Sequence, residues 1–445
     1  YFIINGSEKT VLAQERAAEN KVYCFKLKKN SKWKWKAEIK SIPDNKCISP
    51  KQINILIMSK NNGFGHGLYV QIPRIKQPVP LFVLFRSLGV ISDKKICQII
   101  LLNLEGKKNK KLLYALKASM VDANRFITKE DCIDYIVHIA MYTPMNMDKE
   151  EGRRKQKEFT MNVINNDIFP HCETRIQRVY FLGYMAYKLL NCSFGYTQPD
   201  DRDSYINKRI DLTGTLLNNL FRNYFNKLVK DMHKQIIREI KNGSWRSSDN
   251  FCDIVNQTNI YKIVKSSTIE NGLKRALATG DFGIRSFNTN KVGVAQVLNR
   301  LTYIGTLSHL RRVNTPIDKS GKLIPPRKLH NSSWGIICPA ETPEGQSVGV
   351  MKNISYMCHI TLMSDSSVLY KIVEPYVNVL KEDLMPSYYY NRVKVIINGR
   401  WIGVTDKPLK LFKFLKKKKI EGIINIYTSI VFDYNSKEIY ICNDA

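Results

Sequence analysis

Residues 293–353 read GVAQVLNRLTYIGTLSHLRRVNTPIDKSGKLIPPRKLHNSSWGIICPAETPEGQSVGVMKN. Apolar Val294, Val297, Leu301, Ile304 and Leu307 recur at three- and four-residue steps, which predicts a helix-like segment ending in the paired Arg311 and Arg312. A polar loop with Asp318, Lys319, Gly321 and Lys322 follows, and Pro325-Pro326 stands behind it. The chain then reads as extended through Trp334, Ile336 and Ile337. Thr342-Pro343-Glu344-Gly345 has proline and glycine where a type I turn wants them. Few acids, many hydrogen-bonding side chains and cations at the ends of regular elements suit a polyanion better than a small apolar ligand.

The rest of the chain agrees with such a partner. Its 445 residues exceed one ordinary core and predict about two to four domains. Hydrophobic residues at 44% and aromatics at 10% argue for folded domains and against disorder. Seventy Lys and Arg against 39 Asp and Glu leave a formal charge of +31. Such a chain repels itself unless a polyanion neutralises part of the excess, so nucleic acid leads the possible partners. A lysine-biased proteome accounts for the same numbers, because the lysines are spread widely.

Ten cysteines run from Cys24 to Cys442 without Cys-x-x-Cys spacing, as expected for reduced thiols in an intracellular protein. His171-Cys172 and Cys358-His359 resemble halves of a metal site, yet neither has a second pair at zinc-finger spacing, so no metal ligand is assigned. No apolar run nears the ~20 residues that span a bilayer, so no membrane partner is expected. The chain opens on Tyr1 and reads as a piece of a longer protein.

Several blocks carry a family resemblance. GVAQVLNR (293–300), TLSHLRR (306–312), the step from Leu329 to Gly335 and CPAETPEG (338–345) resemble the fork of the second-largest subunit of multisubunit DNA-directed RNA polymerases. The form is that of eukaryotes, archaea and large DNA viruses. YFIINGSEKTVLAQER (1–16), Ile75-Lys76-Gln77, Phe85 to Ile91, Phe181 to Met185 and Asn207 to Leu212 are similar to its protrusion and lobe. The resemblance implies an α+β, multidomain fold of mixed helical and small-sheet domains. The implied limits are 1–17 for the end of the first protrusion segment, 18–204 for the inserted lobe and 205–275 for the second protrusion segment. The fork would take 276–355, and the first external domain 356–445.

Local patterns fill these limits. Asn5-Gly6 predicts a hairpin turn between two short strands. The glycines of Asn61 to Gly67 precede the strand-like Leu68 to Ile72 and not a helix, so they read as a hairpin loop and not a dinucleotide fingerprint. Ser92 is a plausible N-cap for a helix holding Ile96, Ile99 and Ile100. Val179, Leu182, Ala186 and Leu189 form a core stripe. The run from Gly152 to Lys157 is a solvated surface or a phosphate contact. A long helix from Leu216 carries Leu217, Leu220, Phe221, Tyr224, Leu228, Met232 and Ile236 on one stripe and stops at Asn242-Gly243. Gly280 to Asn290 has the composition of a loop. The family more often has Asn-Trp where Asp281-Phe282 stands, which weakens any role carried over to those two. Strands near Val393–Ile397 and Gly422–Ile426 flank a helix from Pro408 to Lys419, whose closing lysines complement its dipole.

The resemblance also implies a chemistry. Nucleotidyl transfer in such polymerases uses two metal ions on clustered carboxylates, and the family's Asp-Phe-Asp-Gly-Asp triad belongs to the largest subunit. No such cluster occurs here, so no catalytic residue is assigned, and Mg2+ at the assembled active centre is expected to take ligands from outside this fragment, which alone should be inactive. Gln296, Arg300, Arg311 and Arg312 are the expected nucleic-acid-binding residues, with Lys319 and Lys322 reaching downstream DNA. Arg327 and Glu344 would line the substrate end, where Glu344 either orients a cation such as Arg327 or is a solvated turn residue. The implied partners are the largest and other polymerase subunits, DNA template, nascent RNA and ribonucleoside triphosphates. The expected location is intracellular: nucleus or cytoplasm, or a viral factory or virion. The competing reading is a stand-alone basic nucleic-acid-binding module.

Overall fold

The computed structural model describes residues 1–44, 46, 48–143, 148–242, 257, 260–283 and 292–444, with backbone alone at 241 and 242. Gly243 of the expected helix stop and residues 284–290 of the expected loop lie outside the described residues. The fold is α+β, and it divides into two compact units: 1–17 with 202–360, and 18–201 with 361–445. No helix among the described residues is long and apolar enough to cross a membrane.

The first unit is organised by its N-terminal ribbon. Phe2–Ile4 and Ser7–Val11 form the expected hairpin, with Asn5 (φ 50°) and Gly6 (φ 79°) both left-handed, as a two-residue turn requires. Ala295–Val297 pairs antiparallel on the far side of Ser7–Val11. The next strand, Ala13–Ala17, lies inside a second sheet ordered Met351–Asn353, Arg312–Asn314, Ala13–Ala17, Lys208–Asp211. Residues 1–17 therefore pair with the 293–353 stretch at 295–297 and at 313–314, and Met351–Asn353 pairs in turn with Arg312–Asn314. Helices Thr213–Asn242 and Ser267–Thr279 cover the first sheet through Leu216, Leu220, Ala276, Phe282 and Val294. Leu216 takes an inward place that the sequence pattern gave to Phe221, which is exposed and stacks on Phe225 with ring centroids 6.2 Å apart.

Three expectations for 293–353 need correction. The apolar steps from Val294 do not form one helix. Gly293 is left-handed (φ 76°), Ala295–Val297 is a strand, and the helix is only Tyr303–Leu310. Pairing with Ser7–Val11 satisfies that backbone; Val294 is buried, and the stripe beyond it faces solvent, with Val297 61%, Leu301 91% and Ile304 77% exposed. The extended run at 334–337 is a turn, because Gly335 is left-handed (φ 76°) and Ser333 O accepts the amides of Ile336 and Ile337. Ile337 alone of that run bridges, to Ile354. Thr342–Gly345 is not a type I turn: Glu344 is extended (φ −71°, ψ 160°), and the reversal begins at Gly345 (φ 81°).

The second unit begins with an antiparallel meander, Tyr23–Lys26, Trp33–Ser41, Lys51–Met58, Leu68–Gln71 and Val79–Pro80. Among the described residues six α-helices follow, from Leu81–Ser87 to Arg175–Ser193. Ile96, Ile99 and Ile100 are buried as expected, and so are Val179, Leu182, Ala186 and Leu189. Residues 361–445 contribute a five-stranded sheet ordered Asn378–Val379, Arg400–Thr405, Val393–Ile397, Glu438–Cys442, Ser429–Asp433. Tyr180 packs edge-on against Tyr389 and Trp401, at 5.3 and 5.8 Å, so the sheet shares one core with 18–201. The strand expected at Gly422–Ile426 is instead the exit of helix Pro408–Ile420. Gly422 is left-handed, and the amides of Ile423 and Ile424 return to Lys418 O, a C-terminal cap that places Ile424 in the core.

Candidate nucleic-acid interface

Along Ala295–Val297, Ala295 faces the core, Val297 faces solvent and Gln296 lies half-buried between them. The strand ends in a tight bend. Asn299 Oδ1 accepts the Leu301 amide at 2.9 Å, and Thr302 caps the Tyr303–Leu310 helix by accepting the Gly305 amide at 3.0 Å. This short helix is inverted, with Thr306 and His309 buried and Tyr303, Ile304 and Leu307 exposed. Thr306 Oγ1 donates to Asn299 O at 2.6 Å. His309 joins the Asn299 amide, at 3.1 Å, and Gln296 Oε1, also at 3.1 Å. Burial, with the nearby Arg312 charge second, holds its imidazole below the usual range.

The cations divide into two groups. Arg300 makes a two-pronged bond to Glu8, at 2.7 and 3.1 Å, and its guanidinium lies 5.3 Å from the Tyr1 ring centre. That hydrogen bonding lowers the Glu8 pKa. Arg311 Nη2 donates to the carbonyls of Ser355 and Cys358 at 2.8 and 3.0 Å. Arg327 bridges two loops: Nη1 donates to Gln346 O and Val348 O at 2.5 and 3.1 Å, and Nη2 to Lys319 O and Gly321 O at 2.9 and 3.1 Å. The loops meet closely at Gly349 (φ 67°), where a Cβ would lie 2.2 Å from Arg327 O.

The second group is left unengaged. The ammonium groups of Lys319 and Lys322 make no hydrogen bond or ion pair to a described residue. Arg312 Nε is buried and also lacks a partner among the described residues. Glu344 is exposed without an ion pair there, and the Arg327 partners are carbonyls, so Glu344 does not orient that guanidinium. Of the expected loop after Gly280, Phe282 is a core side chain and Asp281 Oδ1 accepts the Gly283 amide at 2.9 Å.

Sequence reasoning passed over His309 and the charged floor behind the loops. There Glu15 is buried and bonded to Lys208 at 2.9 Å, Lys352 at 3.1 Å and Tyr205 Oη at 2.6 Å. Burial opposes ionisation most strongly, but Lys352, Lys208 and the hydrogen bonds outweigh it and lower the Glu15 pKa. Leu329, Cys338 and these groups line a cavity of about 150 Å³. Thr342 pins the turn above it, donating to Met351 O at 3.0 Å and accepting the Gly349 amide at 2.9 Å.

The sequence of this segment, with much of the rest of the chain, is matched in known proteins. Family models for RNA polymerase Rpb2 cover residues 18–211 (domain 2), 296–360 (domain 3) and 395–445 (domain 4). The chain belongs to this family, the Rpb2-type second-largest subunits of DNA-directed RNA polymerase. DNA-directed RNA polymerase II subunit 2 of Arabidopsis thaliana is 36% identical over 455 residues, covering 100% of this chain and 36% of the relative. DNA-directed RNA polymerase subunit 2 of Acanthamoeba polyphaga mimivirus is 32% identical and likewise covers 100% of this chain and 37% of its own length. The shorter archaeal subunit Rpo2N of Methanococcus vannielii is 30% identical over 383 residues, 84% of this chain and 69% of the relative. This chain thus spans little more than a third of the first two relatives.

Proposed function

We propose that the chain works as part of a DNA-directed RNA polymerase, with residues 293–353 positioning the RNA–DNA hybrid, downstream DNA and the incoming ribonucleoside triphosphate. One observation carries the reading: in a segment where Arg300, Arg311 and Arg327 are engaged, the loop ammonium groups of Lys319 and Lys322 remain without partners among the described residues. Phosphates are the natural acceptors for such donors. In this reading Gln296 meets the hybrid, and Lys319 and Lys322 meet the downstream duplex. Arg311 and Arg327 act by fixing main chain, while Arg300 reaches nucleic acid only in exchange for Glu8. Arg327 and Glu344 stand toward the substrate end. The limits of the lobe, protrusion, fork and external domain belong to the same proposal.

Among the described residues no group of three or more His, Cys, Asp or Glu side chains is arranged to hold a metal. The described residues do not fit a magnesium centre, and the proposal takes Mg2+ to be held by ligands outside this chain. The largest and other polymerase subunits, DNA, RNA and ribonucleoside triphosphates are its proposed partners, inside the cell.

A photo-crosslinking residue at Val297, exposed beside Gln296, tests the reading in the assembled polymerase halted on labelled RNA. A crosslink to the RNA is expected, with none from the same residue at Ile420. Absence of a crosslink from 297, or equal yields from both sites, contradicts it. The stand-alone alternative requires the isolated chain to bind duplex or single-stranded nucleic acid by itself.

A further inference from the structure

Gln296 carries an amide that is turned one way by its neighbours. His309 Nδ1 accepts the Asn299 main-chain N–H at 3.1 Å. A nitrogen that accepts a hydrogen bond bears no proton, so the neutral ring carries its proton on Nε2. That N–H then donates to Gln296 Oε1, 3.1 Å away. With Oε1 fixed as the acceptor, the amide nitrogen is the other end, and one of its two hydrogens points to Gly293 O at 3.3 Å. The second has no acceptor among the described residues. His309 itself is held firmly: it is 4% exposed, and the Asn299 carbonyl beside its own anchor accepts Thr306 Oγ1 at 2.6 Å. A glutamine amide free to flip would present an oxygen or a nitrogen with similar ease, and an oxygen meeting phosphate or ribose oxygens is repelled.

We infer that His309 is a positioning residue for the hybrid interface: through the relay Asn299 N–H to His309 to Gln296, it presents an amide N–H of Gln296 as a donor to an oxygen acceptor of the nucleic acid. This rests on the reading that Gln296 meets the hybrid. His309 touches neither strand; it decides which atom of Gln296 does. The neutral ring matters because a protonated Nδ1 no longer accepts from Asn299. Burial and Arg312 both disfavour that protonated form.

The assembled polymerase, halted on a defined RNA–DNA hybrid scaffold and challenged with excess competitor, provides the test through the lifetime of the complex. Gln296→Ala shortens the lifetime about two- to tenfold, the net effect of one hydrogen bond. His309→Asn, which keeps an acceptor for Asn299 but loses the donor to Gln296, shortens it equally. His309→Gln restores a donor at the outer position and brings the lifetime back within about twofold of wild type. The double variant Gln296→Ala/His309→Asn lives as long as Gln296→Ala alone, because the two changes remove the same interaction. Additive losses in the double variant overturn the inference, as does a His309→Gln enzyme no better than His309→Asn. A short-lived Gln296→Ala complex with a wild-type His309→Asn complex overturns the role of His309 and leaves the hybrid contact standing. An unchanged Gln296→Ala lifetime removes the hybrid contact itself, and the inference with it.

Discussion

Two cation-rich segments of this molecule behave in opposite ways. At the end of helix Pro408–Ile420, Lys416 lies 4.5 Å from the Phe412 ring centre, Lys418 pairs with Glu421 at 2.7 Å, and Lys419 donates to Thr428 O at 2.7 Å. These charges also answer the carbonyl end of their own helix. Along 293–353, arginines clamp the main chain and the lysines of the loop they clamp have no local partner. The comparison teaches that a count of positive charges does not locate an anion-binding surface. On the proposed reading, the donors of the 319–322 loop left over after the fold has taken its share do.

If charges in the 18–201 and 361–445 unit are matched internally, adding an unmatched one there has the largest effect. His171 is fully buried, with Nδ1 bonded to Ser41 Oγ at 2.6 Å and no partner for Nε2 among the described residues. Burial first, then the charges of Arg400 and Arg178, push its pKa down to about 3. A folded pKa below the unfolded one means that the neutral ring contributes full stability above about pH 6.5, lost as pH falls toward 3, up to about 5 kcal/mol. Urea midpoints for this unit should fall between pH 7 and pH 4, and His171→Asn should flatten that part of the profile. An equal slope in the variant shows that the charge is tolerated, and the contrast between the two segments weakens.

The clamp comes next in size. Arg327→Ala removes four hydrogen bonds between the loops at 319–321 and 346–348. Local stability should drop by about 2–4 kcal/mol, since water reaches the freed carbonyls. Amide exchange in residues 319–323 and 345–349 should accelerate while the Ala13–Ala17 sheet is unaffected. Arg327→Lys should recover less than half, because an ammonium lacks the planar fork that reaches both loops. Unchanged exchange in Arg327→Ala reduces the clamp to a surface contact.

Elements set by neighbouring residues were legible in the sequence. Asn5-Gly6 announced its hairpin, the spacing from Val179 to Leu189 its buried face, and Pro408 the start of its helix. Ala295–Val297 was not, because its strand partner Ser7–Val11 lies at the start of the chain, far away in sequence, and local periodicity cannot contain that pairing. Nor was the outward apolar face of Tyr303–Leu310, which the buried Thr306 and His309 invert. At the site, the residue types that suit phosphates were readable. Whether each cation remains available depended on distant carbonyls, such as those of Ser355 for Arg311 and Gln346 for Arg327. His309 stood inside a recognised block, and its only local signal was a second polar residue three positions after Thr306.

The most direct measurement is the salt dependence of downstream-duplex binding by the assembled polymerase. Replacing Lys319 and Lys322 with alanine should lower the log–log slope by about 1.8, at about 0.9 per neutralised phosphate, while replacing Lys416 and Lys418 leaves it unchanged. A slope untouched by the loop substitutions, or reduced equally by the helix substitutions, contradicts the account.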